Sequence, residues 1–177
     1  DQEKYYLGEN NENNEKSGKQ NFYKTSLQAV QVRGVESYNI IAEEIVYKNS
    51  GVSDSCSVLV GAHYDCIPMG GKGADDNGSG VAALLSIAAT LPQVTKLSKL
   101  NSQNKEKASR CKMILVAFTG EEAGLYGSKE YVNNMNLHEY MNNKEKPLNL
   151  RSVIILDQLG YVSEEHKNEV IFETVAT

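Results

Sequence analysis

His63 and Asp65 stand two residues apart at the end of the apolar run Val58-Leu59-Val60. In an extended segment, side chains at i and i+2 share a face, so an imidazole and a carboxylate can serve one site. Farther along, a glycine-rich loop leads into Asp75-Asp76-Asn77-Gly78-Ser79-Gly80. The apolar run Lys112–Phe118 leads into Glu121 and Glu122, and Ser152–Leu156 leads into Asp157. Imidazole nitrogen and carboxylate oxygen are donors that zinc accepts. A two-metal hydrolytic site needs a bridging carboxylate with terminal ligands on either side, its ions roughly 3.5–4 Å apart. It also needs a base that is not a ligand, to take a proton from the attacking water. Glu121 and Glu122 can divide such tasks, because neighbouring residues in a turn point in different directions. Asp65 is spaced to accept a hydrogen bond from His63, which would fix the ring's tautomer and raise its basicity.

The elements around these residues read as strand–helix–strand–helix–strand. Ser57–Ala62 is the central strand, and the loop Tyr64–Asp76 follows it. Ser79–Leu91 carries Val81, Leu84, Leu85, Ala88 and Leu91 at three- and four-residue spacing, which predicts a helix with one buried face. Asp76 and Ser79 are suitable N-cap types, and Pro92 is expected to close the helix. Lys112–Phe118 predicts a second buried strand, Ala123–Asn134 a second helix and Ser152–Leu156 a third buried strand. Upstream, Phe22–Val32 and Ser37–Tyr47 are strand candidates, with a polar turn over Lys48–Ser55. Val94–Arg110 reads as a Lys-rich surface insertion, Leu137–Pro147 as a polar connection, and Glu169–Val175 as the start of another strand. Right-handed crossovers in a mostly parallel sheet would bring the ends of the three central strands to one edge.

Bulk properties narrow the classes. The 177 residues suffice for one domain with a real core. A net charge of −5 argues against a nucleic-acid partner, and without an unbroken apolar run of 18 residues no membrane span is expected. The chain opens on Asp1, without Met and without a signal-peptide pattern, which fits a processed protein or an excised piece. Residues 1–20, rich in Asn, Glu and Lys, read as a polar, flexible arm, leaving 21–177 as the domain. Cys56, Cys66 and Cys111 have no CxxC spacing and read as three ordinary thiols. Asp75 reads as a turn residue, and Tyr64, Tyr126 and Tyr161 as packing or rim residues.

Taken in order, GAHYD, GADDNGSGVAALL, AFTGEEAGLYGS and ILDQLG resemble the dinuclear-zinc aminopeptidases of metallopeptidase clan MH, peptidase family M28, over roughly Ser37–Tyr161. The resemblance implies an α/β fold, a three-layer α/β/α sandwich around a mostly parallel mixed sheet. It implies a zinc-dependent aminopeptidase acting on peptides with a free N-terminus through a metal-bridging water. By motif, His63 and Asp157 would bind one zinc, Asp76 would bridge two, and Glu122 would bind the second. Glu121 would be the general base and Asp65 the carboxylate orienting His63. The Asp76–Asn77 peptide is a candidate for the cis form. One feature of the family pattern is missing: a His on the second zinc, several tens of residues beyond the LD motif. His138 and His166 are the remaining histidines, and the expectation is a partial domain, incomplete at its C-terminus. Two alternatives stay open: a catalytically impaired fragment or pseudoenzyme binding at most one zinc, and an acyltransferase of the glutaminyl-cyclase type. Family habit implies a secreted or envelope location, with the cytoplasm not excluded.

Overall fold

The computed structural model describes residues 21–47, 51–67, 71–101, 110–141, 149–162 and 164. The proposed arm, His166 and the strand expected at Glu169–Val175 lie outside these residues. Strand β1 (Tyr23–Val32) turns through Arg33 and Gly34 into β2 (Val35–Glu44), with Val32 opposite Val35. Both turn residues have positive φ, 48° and 85°, the two-residue geometry whose twist matches that of a strand pair.

Strand β3 (Val52–His63) is followed by helix α1 (Gly78–Asn101), β4 (Arg110–Phe118), helix α2 (Tyr126–Met141) and β5 (Leu150–Ile155). The sheet order is β1-β2-β4-β3-β5. β3 runs parallel to β4 and β5, while β2 is antiparallel to β1 and β4. Period-two alternation sorts the core. Leu59, Ile114, Val116 and Phe118 meet Tyr131 and Met135 of α2 on one face. Val60, Ala62 and Leu115 meet Val81, Leu84 and Ala88 of α1 on the other. The protein is therefore a three-layer α/β/α arrangement around a mixed sheet. At the end of the sheet away from the loops after β3 and β4, the Arg110 guanidinium donates to both oxygens of buried Glu44, at 2.6 and 2.7 Å.

Several sequence expectations are corrected here. Pro92 lies inside α1, which runs on to Asn101, so part of the expected surface insertion is helical. A proline removes one helical N–H, the one that would serve the Ala88 carbonyl, and the Tyr23 hydroxyl donates to that carbonyl at 3.0 Å. The turn expected at Lys48–Ser55 is cut short, because β3 already starts at Val52. The β3–β4 register shifts between Ser53 and Ser57. Beside that shift, Cys56 and Cys111 form a disulfide, and Cys66 alone remains an exposed thiol, against the expectation of three thiols. The second helix begins at Tyr126 rather than Ala123, because Gly124 and Leu125 have positive φ. The third apolar strand is not buried. β5 has a partner on one edge among the described residues, and its Val153 and Ile155 are 55% and 54% exposed. By length and composition alone, Gly78–Lys96 of α1 could cross a membrane, although no unbroken apolar run had suggested it; in the fold Val81, Leu84 and Ala88 pack on the sheet.

Candidate metal centre

Parallel β3, β4 and β5 deliver their C-terminal ends to one edge of the sheet, where α1 also begins. His63, the last residue of β3, is 3% exposed. Its Nε2 lies 3.0 Å from Asp76 Oδ1, 3.6 Å from Asp157 Oδ1 and 4.0 Å from Glu121 Oε2. The three carboxylates come from three different loops. Ligand atoms from His63, Asp76 and Asp157 all fall within 4.8 Å of one another. Donors about 2.0–2.2 Å from a tetrahedral ion are about 3.3–3.6 Å apart, so these three fit one ion with little movement. The nitrogen–oxygen donor set suits zinc among other divalent metals.

Burial alone would lower the affinity of His63 for a proton. The carboxylates of Glu121, Asp157 and Asp65, with the Asp65 carbonyl, outweigh it and hold the imidazole above its ordinary value of 6.5. Glu122 is also pushed up, by burial first and then by the negative charge of Asp76 and Glu121, with the imidazole opposing. Such crowding of like charge is what a cation would relieve.

The frame holding these groups is mostly backbone hydrogen bonding. Asp65 Oδ1 accepts from Glu121 N at 3.1 Å and Oδ2 from Glu122 N at 3.2 Å, which ties the loop after β3 to the turn after β4. The His63 Nδ1 lies 3.1 Å from the Asp65 carbonyl oxygen and 3.6 Å from its carboxylate. That turn opens at Gly120, whose φ is +65° and where a Cβ would come within 2.7 Å of Val32. Beneath it, Asn39 is fully buried: Oδ1 accepts from Thr119 N, and Nδ2 donates to Gly127 O and Gln28 Oε1.

On the other side, the Asp76–Asn77 peptide is cis. Asn77 caps α1 by accepting from Gly80 N at 3.0 Å, a role the sequence assigned to Asp76 or Ser79. Its Nδ2 donates to Leu156 O at 2.8 Å, which binds the helix start to the end of β5. Asp75 is more than a turn residue, accepting from Ser79 Oγ and Gly160 N. Gln158, which sequence reasoning passed over, donates from Nε2 to Asp76 Oδ2 at 3.0 Å. Its one sequence signal is adjacency to Asp157. Asn39 gave no signal at all, because its partners lie 11 to 88 residues away. The side chain of His138 is outside the described set.

Comparison with known proteins follows the same lines. The chain is 31% identical over 139 residues to aminopeptidase YwaD of Bacillus subtilis, covering 78% of this chain and 25% of that protein. It is 37% identical over 97 residues to the probable lipoprotein aminopeptidase LpqL of Mycobacterium tuberculosis, covering 54% of this chain and 17% of that protein. The chain thus spans about a quarter or less of these relatives. The crystal structure of LapA from Legionella pneumophila superposes with a TM-score of 0.50 at 21% identity, over 76% of this chain and 31% of LapA, a likeness of fold. The model of peptidase family M28 matches residues 39–172, the span that contains GAHYD, GADDNGSGVAALL, AFTGEEAGLYGS and ILDQLG, and the chain belongs to that family.

Proposed function

We propose that this chain carries the metal centre of a zinc aminopeptidase that removes the first residue of peptides with a free N-terminus. The observation that carries this reading is the meeting of buried His63 Nε2 with Asp76, Asp157 and Glu121 from three separate loops. His63 and Asp157 would hold one zinc, Asp76 would face both ions, and Glu122 would hold the second with donors beyond those described. Bound zinc would supply Lewis acidity, polarising the scissile carbonyl and acidifying water.

The chain's own residues do the rest. Glu121 accepts a proton from the attacking water and returns it to the leaving amine. Asp65 holds the backbone of Glu121 and Glu122 and, through its carbonyl, one nitrogen of His63. The Cys56–Cys111 disulfide favours an oxidising location such as the cell exterior or envelope, in keeping with the name of the mycobacterial relative.

Glu121→Gln tests the central assignment. It keeps size and hydrogen bonding but cannot take a proton. Hydrolysis of leucyl-p-nitroanilide should fall by about 10²–10⁴-fold with zinc content unchanged. Wild-type kcat in that variant would remove Glu121 from its role. A pseudoenzyme would bind at most one zinc and hydrolyse nothing. A cyclase would instead convert an N-terminal Gln peptide to pyroglutamate.

A further inference from the structure

Asp76 stands between His63 and Gln158. One carboxylate oxygen faces the imidazole at 3.0 Å, and the other accepts from Gln158 Nε2, also at 3.0 Å. Gln158 is exposed. Its backbone, however, is pinned. Its N–H donates to Asn77 Oδ1 at 3.3 Å, and its carbonyl accepts from Tyr161 N at 3.1 Å. Its φ is +45°, a left-handed conformation that a non-glycine residue adopts at some cost and keeps where its surroundings impose it. The neighbouring Gly160 N–H donates to Asp75 Oδ1. The same loop therefore presents Asp157 to the centre through its backbone and grips Asp76 through the next side chain.

We propose that Gln158 is a positioning residue of the metal centre: its side-chain amide fixes the rotation of the Asp76 carboxylate so that Oδ1 stays directed at His63 Nε2. The inference rests on the metal-site reading above and names a residue that the reading does not need. A carboxylate oxygen can accept in more than one direction, so a hydrogen bond at Oδ2 leaves room there for a cation. Without the amide, the Asp76 side chain would turn about its own bonds, and ordering it would fall to the binding step. Hydrogen-bond partners of metal ligands typically change metal affinity by about 10–100-fold when removed.

The experiment is a zinc titration of the metal-free protein against a chromophoric chelator, with thermal unfolding of the same metal-free samples. Gln158→Gly removes the amide and suits φ +45°, so its Tm should hold or rise while zinc binding weakens about tenfold. Gln158→Leu keeps bulk without the donor and should weaken zinc binding similarly. Opposite movement of Tm and affinity in the glycine variant is a result that a merely structural role does not give. Wild-type affinity in both variants, or affinity falling only in step with Tm, overturns the proposal. His63→Ala separates the two readings. If it abolishes binding while the Gln158 variants bind normally, only Gln158 loses its role. If wild type binds no zinc, or His63→Ala binds as well as wild type, the metal-site reading falls and this inference with it.

Discussion

A histidine that is 3% exposed and faces several carboxylates is costly unless something positive joins them. In the metal-free protein a proton on the imidazole supplies that charge below the raised His63 value, and the sign of its effect follows. The His63 value is raised on folding, so its contribution to stability is full below about 6.5 and is lost as pH rises through the raised value. Glu122, raised from 4.5, acts in the same direction over its own lower window. Metal-free protein should therefore lose Tm through His63 as pH rises above about 6.5. Zinc must displace the proton, so affinity should weaken as pH falls from 8 to 6, with the decline beginning above 6.5. An affinity flat across that range would contradict this account of His63. The ligand-type residues were legible in the sequence because His and carboxylates at strand ends form a recognisable set. Their supports were not: Asp65 accepts from amides 56 and 57 residues away, and Gln158 from the loop after β5 reaches back 82 residues to Asp76.

Among the elements, β3, β4 and α1 announced themselves through apolar runs and helical spacing, and the corrections arose where a partner from elsewhere intervened. Pro92 was expected to end α1 on local grounds, yet Tyr23 from β1 serves the carbonyl that Pro92 leaves without its helical bond. Tyr23→Phe should consequently cost about 1–2 kcal/mol, read as a lower midpoint in urea, whereas an unchanged midpoint would mean that water replaces the hydroxyl without penalty. Gly80 tests the joint between α1 and β5. A Cβ there would lie 2.3 Å from Asn77 Oδ1 and 2.5 Å from Leu156 O. Gly80→Ala should destabilise by about 1–3 kcal/mol and weaken zinc binding, because Asp76 and Asp157 flank the displaced atoms. β5 misled in another way. Its composition is that of a buried strand, but burial depends on neighbours, and those among the described residues leave Val153, Ile154 and Ile155 about half exposed.

For the whole molecule, the strand–helix alternation was enough to read parallel strands whose carboxyl ends share one edge, the family resemblance implied the three-layer α/β/α sandwich, and the observed sheet with its flanking helices has that architecture. The Cys56–Cys111 link was not legible, since spacing carries no information about two strands that become neighbours across 55 residues. Closing a loop of that length restricts the unfolded chain by about 4 kcal/mol on the chain-entropy account. The oxidised protein should show one thiol to Ellman's reagent when denatured, and three after reduction, with a lower Tm in the reduced form. Three thiols without reductant would refute the link. The central claim concerns one point in space at the sheet edge, and anomalous scattering at the zinc edge from crystals grown with zinc addresses it most directly. The account predicts a peak about 2.0–2.2 Å from His63 Nε2 and from oxygens of Asp76 and Asp157. Crystals with zinc bound elsewhere, or with no peak beside His63, would contradict it.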